Sequence, residues 1–192
     1  MVKSKSEVIK MRVIAGEKKG FPIKNIKGHK TRPTSDKVKG SIFNMIAPYI
    51  DENSMALDCF AGSGSLGIEF LSRGGTYCRF IEKNFQSYRC IKENLTRLGF
   101  DKNKFDVVKG DVFKVTLKIE KFNCIFIDPP YNQGLAQKML ETVFQKQLLC
   151  TGGIAIVEHS KEEPVLHNQL MLIKQKGYGD TSISIYTTES YE

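Results

Sequence analysis

Apolar residues recur along this chain in two alternating rhythms. Dense or alternating runs at Met55–Phe60, Thr76–Glu82, Phe105–Lys109, Phe122–Asp128 and Gly153–Glu158 predict strands, some buried on both faces. Ser65–Ser72, Asn84–Leu98 and Leu135–Leu149 predict helices between them, the first two closed by Gly74-Gly75 and Gly99. Upstream, Met11–Ala15 and Phe21–Ile26 flank the turn-rich Gly16–Gly20 and predict a small hairpin. Arg32–Asp36 predicts a helix entry, with Thr34 or Ser35 to cap and Asp36 suited to the positive end of the dipole. Val38, Ile42, Met45 and Ile46 carry its packing face towards Pro48. Downstream, Lys161–Leu170 predicts a helix despite Pro164. Met171–Lys174 and Ser182–Thr187 predict two last strands joined as a hairpin through Gly177–Asp180. The alternation defines an α/β chain with a doubly wound, mostly parallel sheet, helices on both faces and an antiparallel C-terminal hairpin. Residues 1–30 are expected to form a basic tail and hairpin appended to a main domain at 31–192.

Charge changes this picture at one end. The 192 residues carry a formal net charge of +8. Residues 1–40 hold twelve Lys or Arg against three acidic residues, a net of +9, and the rest of the chain holds seventeen against eighteen. A localised basic segment on a near-neutral body suits a polyanion, whose counterions are released on contact. The bland alternative is a solubilising tail. No apolar run is long enough to span a membrane, and the polar start lacks a signal-peptide core. Five widely spaced cysteines without a Cys-x-x-Cys pair argue for a reduced, cytoplasmic protein. Three scattered histidines offer no metal-ligand spacing, so no metal is expected.

Two stretches carry candidate chemistry. In Cys124–Tyr131, Pro129 and Pro130 end a buried strand and hold Asp128 at its carboxyl end, the edge of an open α/β sheet where ligands bind. A carboxylate and the rigid Pro129 carbonyl can accept both hydrogens of a planar exocyclic amine while the Tyr131 ring stacks on the base carrying it. The same residues could equally be a strand ending in a Pro-Pro turn. The stretch nevertheless resembles the Asp/Asn-Pro-Pro-Tyr/Phe signature of S-adenosylmethionine-dependent methyltransferases acting on nucleobase amines.

The second stretch is Asp58–Gly67, in which Gly62, Gly64 and Gly67 satisfy G-x-G-x-x-G between a strand and a helix. Glu82 ends the next strand eighteen residues after Gly64, where a carboxylate would grip ribose hydroxyls, with Lys83 beside it. Alone, this pattern also suits NAD. Asp58, just ahead of Phe60 and the glycines, favours S-adenosylmethionine, since a carboxylate there could pair with the cofactor's ammonium but would repel a pyrophosphate. Asp111 could accept from the adenine amine while Val112 or Phe113 lies against the ring.

Four stretches together resemble the RsmD family of 16S ribosomal RNA guanine-N2 methyltransferases: Met11–Gly16 with its hairpin, Thr31–Lys37 leading into Ile42–Asn44, Leu57–Gly64, and Phe126–Tyr131. The resemblance runs from about residue 11 to the Tyr178–Thr181 strands. The glycine and Pro-Pro motifs occur across the superfamily, whereas the hairpin and the Arg-Pro-Thr helix start are specific to this family and its near relatives. The resemblance implies a Rossmann-like methyltransferase sheet, S-adenosylmethionine as cofactor, and the small ribosomal subunit or its assembly intermediate as partner. It implies that Arg32, Pro33 and Thr34 lie over the cofactor. Asp128, Pro129, Pro130 and Tyr131 are then the catalytic candidates. Asp58, Phe60, Gly62, Gly64, Glu82, Lys83, Asp111 and Val112 join Asp128 as cofactor candidates. Arg12, Lys18, Lys19, Lys24 and Arg32 are candidate RNA phosphate contacts. A monomer is expected. Competing readings are a DNA adenine- or cytosine-amino methyltransferase, an NAD-dependent oxidoreductase, and a non-catalytic RNA-binding factor.

Overall fold

The computed structural model describes residues 11–25, 36–117 and 121–188. Seven strands form one sheet: β1 (Met55–Asp58), β2 (Tyr77–Glu82), β3 (Phe105–Lys109), β4 (Phe122–Ile127), β5 (Leu149–Ser160), β6 (Met171–Tyr178) and β7 (Thr181–Thr187). Their spatial order is β3-β2-β1-β4-β5-β7-β6. β1 to β5 pair in parallel, and β7 runs antiparallel to both β5 and β6. β6 therefore points the same way as the parallel strands, and β7 alone is reversed. The order turns back on itself between β1 and β4, which opens a crevice at the carboxyl edge there. Across it Asp58 pairs with Phe126, two residues before Asp128.

Helices α1 (Asp36–Ile46), α2 (Ser65–Ser72), α3 (Phe85–Arg97) and α4 (Leu135–Gln145) cover the two faces. Alternation along the strands divides the core. Ala56, Phe80, Phe126 and Ile156 pack with α1, α2 and α3, whereas Leu57, Ile81, Ile125 and Val157 pack with Met139, Leu140 and Val143 of α4. Gly67 sets how closely α2 meets the sheet, because a Cβ there would lie 2.3 Å from the Phe80 ring and 2.6 Å from Cys78 Sγ.

The segment at 11–25 folds back as the expected hairpin, with an isolated bridge between Arg12 and Pro22 and backbone bonds from Val13 N to Phe21 O and from Ile23 N to Met11 O. Ile26 lies outside the described residues. The hairpin's apolar residues Met11, Val13 and Ile23 are buried with α1, α2 and α3. Its docking is polar as well. Glu69 of α2 accepts from the amides of Ile14 (2.8 Å) and Ala15 (2.9 Å), and Ser72 accepts from the Lys18 amide. Gly16 passes so close to α2 that a Cβ would meet Ser72 O at 1.7 Å.

Three expectations change. Residues 161–170 form turns and bends instead of a helix. Their polar groups are spent elsewhere: Glu163 accepts from Asn132 N and Gly134 N, and Leu166 bonds the Gln137 side chain through both N and O. α4 stops at Gln145 because Gln147 takes a left-handed conformation, φ 51°, and Leu149 already pairs with Phe122. β5 and β6 are longer than their apolar runs, since pairing with β7 extends to Ser160 and Tyr178. Among the described residues no helix is long and apolar enough to cross a membrane, and no group of three His, Cys, Asp or Glu side chains is arranged to hold a metal.

Candidate active site

The carboxyl ends of β1, β2, β3 and β4 frame a cavity of about 890 Å³. The glycine loop supplies Phe60, Gly62 and Ser63, and the end of β2 supplies Glu82, Lys83 and Asn84. The turn after β3 supplies Asp111, Val112 and Phe113, and the segment after β4 supplies Asp128, Pro129, Pro130 and Tyr131. The loop forms because Gly62 and Gly64 adopt φ of 54° and 80°, which bends the chain sharply out of β1 into α2. Its shape is pinned from below. Glu82 Oε2 accepts from Gly62 N at 2.8 Å while Oε1 accepts from Asn84 N at 2.6 Å. Each carboxylate oxygen keeps a further lone pair for a hydroxyl in the cavity.

Asp58 sits differently from the other acidic candidates. It is buried, its Oδ2 accepts from Gly67 N at 3.2 Å, and it is absent from the cavity lining. Burial pushes its carboxyl up to about 7, with the Glu82 charge adding to the shift. Gly64 also stays behind the lining, whereas Phe60 is on it and meets Phe113 edge-on at 6.2 Å. Asp111 accepts from Phe113 N at 3.1 Å and lies 3.4 Å from the Lys83 ammonium. The Phe113 amide first, then Lys83, hold its carboxyl below the ordinary range. Arg32, Pro33 and Thr34 lie outside the described residues.

At the other end, Asp128 is half-buried on the cavity wall, next to buried Pro129 and exposed Pro130. Tyr131 donates its hydroxyl to Glu158 Oε1 at 2.7 Å and lies 3.0 Å from Thr181 Oγ1. Burial pushes its phenol well above the usual range, and the Glu158 charge adds to this. The ring is thus fixed by the ends of β5 and β7. Beyond it, Glu163 takes the amides of Asn132 and Gly134, both at 2.6 Å, so two carboxylates brace the segment that carries Asp128. Neither Glu158 nor Glu163 has a local sequence signal, because each acts on residues about thirty positions away.

Among the described residues, the wall carries Glu82, Asp111 and Asp128 against the single cation Lys83. In a protein of net charge +8, this cavity is locally acidic. It suits a cationic ligand with hydroxyls and a flat apolar part, and it disfavours a pyrophosphate. The hairpin contributes Met11 and Asn25 to the same wall, which the sequence did not signal.

Of the basic candidates, Arg12 pairs with Asp36 at 3.0 Å and Lys24 with Glu93 at 2.6 Å. Lys18 lies 3.7 Å from Glu17 and over the Phe100 ring. Lys19 is exposed. Arg12, Lys19 and Lys24 are exposed and Lys18 is partly buried, and the acidic neighbours offset part of the hairpin's charge.

The sheet order, with the glycine loop and the Asp-Pro-Pro-Tyr segment on one cavity, defines a Rossmann-like methyltransferase. The family model described as Conserved hypothetical protein 95 matches residues 11–187, and the chain belongs to that family, whose named members include ribosomal RNA small subunit methyltransferase D, RsmD. It is similar to YlbH of Bacillus subtilis (strain 168), a protein proposed as an rRNA methyltransferase, with 41% identity over 92% of this chain and 98% of that one. Ribosomal RNA small subunit methyltransferase D of Haemophilus influenzae is 34% identical over 92% of this chain and 93% of that one. Among solved structures, yhhF of Escherichia coli, proposed as a methyltransferase, superposes with a TM-score of 0.81 at 29% identity, covering 92% of this chain and 97% of that chain. An RNA methyltransferase from Salinibacter ruber, solved in complex with S-adenosyl-L-homocysteine, shares the fold at a TM-score of 0.66 and 15% identity, covering 84% and 96% of the two chains.

Proposed function

We propose that the protein transfers a methyl group from S-adenosylmethionine to the exocyclic N2 amine of a guanine in 16S ribosomal RNA, acting in the cytoplasm on the small subunit or its assembly intermediate. The observation that carries this reading is that Asp128 and the Pro129–Tyr131 segment share one acidic cavity with the glycine loop and Glu82. The wall fits the cofactor. Glu82 has lone pairs for the ribose hydroxyls, Asp111 an acceptor for the adenine amine, and Phe60, Val112 and Phe113 an apolar bed. When bound, S-adenosylmethionine supplies an electrophilic methyl on a sulfonium, whose positive charge this wall favours.

The acceptor end does the remaining work. The target guanine leaves its stack to bring its edge into the cavity. Asp128 and the Pro129 carbonyl accept the two amine hydrogens, which turns the nitrogen lone pair out of conjugation and towards the electrophile. Tyr131, fixed by Glu158 and Thr181, presents its ring to the base. Asp128 need not be a strong base, because the methylated ammonium product is acidic and releases its proton afterwards. Holding the reactants in line supplies most of the rate.

The test is tritium-methyl transfer to small ribosomal subunits, naked 16S RNA and duplex DNA, followed by nucleoside analysis and mapping of methylated guanines in RNA from cells with and without the gene. N2-methylguanosine at one position that disappears with the gene supports the proposal. Label in DNA, or on another base, overturns it.

A further inference from the structure

Phe85 opens α3 with 55% of its surface exposed. Asn84 caps the helix by accepting from Gln86 N and Ser87 N, which fixes the first turn and holds Phe85 outward. The ring lies against Tyr88 at 6.4 Å with planes 23° apart. Lys109, at the end of β3, reaches over Phe85 at 5.8 Å, and Lys92 over Tyr88 at 5.4 Å. Arg89 projects beside them, 65% exposed, at 4.0 Å from Glu93, which also pairs with Lys24 of the hairpin. Neither Lys92 nor Lys109 pairs with a carboxylate among the described residues.

Resting on the rRNA reading above, we infer that this face of α3 is a second RNA-binding surface, which stacks an unpaired nucleobase on Phe85 and meets the flanking phosphates with Arg89, Lys92 and Lys109. Its place supports the assignment. Lys83, Asn84 and Ser87, on either side of Phe85, line the cavity, so the ring stands at its rim, and Glu93 links the patch to the basic hairpin. An acidic protein partner would satisfy the lysines and leave the flat aromatic face unmatched. Every nucleotide offers a base π-face together with a phosphate.

The experiment uses the full chain with Phe85→Ala and Phe85→Trp, and separately the Lys92→Gln/Lys109→Gln pair. It measures binding to 16S RNA over a salt series, binding to assembled small subunits, and cofactor affinity by calorimetry. Phe85→Ala is expected to weaken RNA binding by about 5- to 150-fold, the range for removing one base–aromatic stack, with Phe85→Trp restoring it. The double Gln variant is expected to flatten the log–log salt slope by up to about 1.4. Cofactor affinity stays at the native value in all three. RNA binding by Phe85→Ala within twofold of native, or an equal loss of cofactor affinity, overturns the surface while the proposed activity stands. Weaker binding to subunits but not to naked RNA assigns the patch to a protein partner and overturns it too. A native protein that neither binds nor methylates 16S RNA removes the underlying reading and this surface with it.

Discussion

Replacing Glu69 with Ala should undock the N-terminal hairpin from α2. Glu69 is fully buried and accepts from Ile14 N at 2.8 Å, Ala15 N at 2.9 Å and Arg73 Nε at 2.8 Å. The Lys39 ammonium, 1% exposed, lies 3.4 Å from it and donates to Arg12 O at 2.6 Å. Burial already lowers the Lys39 pKa, and Glu69 opposes that shift, so removing Glu69 leaves a buried ammonium facing one carbonyl. Breaking one side of a buried pair costs about 3–5 kcal/mol. The two orphaned amides belong to the same network, so their separate cost of about 1–3 kcal/mol each does not simply add. A destabilisation of about 4 kcal/mol lowers the melting temperature of a chain this size by roughly 8–16 °C. Glu69→Gln keeps one acceptor oxygen but turns an NH2 towards the N–H donors on the other side and removes the charge facing Lys39, so it should lose a similar amount. Because Met11 and Asn25 line the cavity, cofactor affinity should fall as the hairpin loosens, even below the melting temperature. Denaturant unfolding gives the energy, and amide exchange at Ile14 and Ala15 gives the location. A Glu69→Ala protein within about 1 kcal/mol of native, or with exchange at those amides unchanged, would refute the reasoning.

Three further outcomes follow from the site. Asp58, raised to about 7 by burial, holds a proton between about pH 4 and 7 that the unfolded chain has released, so native stability falls as pH rises through that window. Asp58→Asn still accepts from Gly67 N and lacks this dependence, so its stability relative to native should rise by up to about 4 kcal/mol between pH 4 and pH 8; a difference independent of pH counts against the buried acid. Tyr131→Phe loses its bonds to Glu158 and Thr181, and should cost about 1–2 kcal/mol of stability and raise the KM for RNA without altering cofactor affinity. Lys18→Glu with Lys19→Glu should weaken RNA binding and flatten its salt slope by about 0.7–0.9 for each phosphate no longer neutralised, and an unchanged slope would remove the hairpin from the RNA interface.

What could be read from the sequence was local. Ser65–Ser72 and Phe105–Lys109 have the predicted boundaries because periodicity and the adjacent glycines or charges mark their ends within a few residues. The G-x-G-x-x-G loop and Asp-Pro-Pro-Tyr were legible for the same reason: each is a backbone constraint written in consecutive residues. Distant partnerships were not. Glu69 and Lys39 look like ordinary polar helix positions, and their burial depends on a hairpin 27 to 55 residues away in sequence. Residues 161–170 have enough helical spacing to suggest a helix, but Glu163 and Leu166 bond to α4 and to the loop before it, and those bonds prevail. Asp58 stands ahead of the glycines as a cofactor ligand would, and the bond that its Oδ2 accepts from Gly67 N, nine residues on, is not spelled out by the motif.

In the proposed reaction Asp128 holds the acceptor amine, while most of the cofactor's affinity comes from the glycine loop, Glu82 and Asp111 on the same wall. Asp128→Ala, assayed side by side for S-adenosylmethionine affinity by calorimetry and for methyl transfer to small-subunit RNA, tests it directly. The account predicts transfer reduced by at least about 100-fold with cofactor affinity within a few-fold of native. Equal losses in both, or transfer near the native rate, would contradict it.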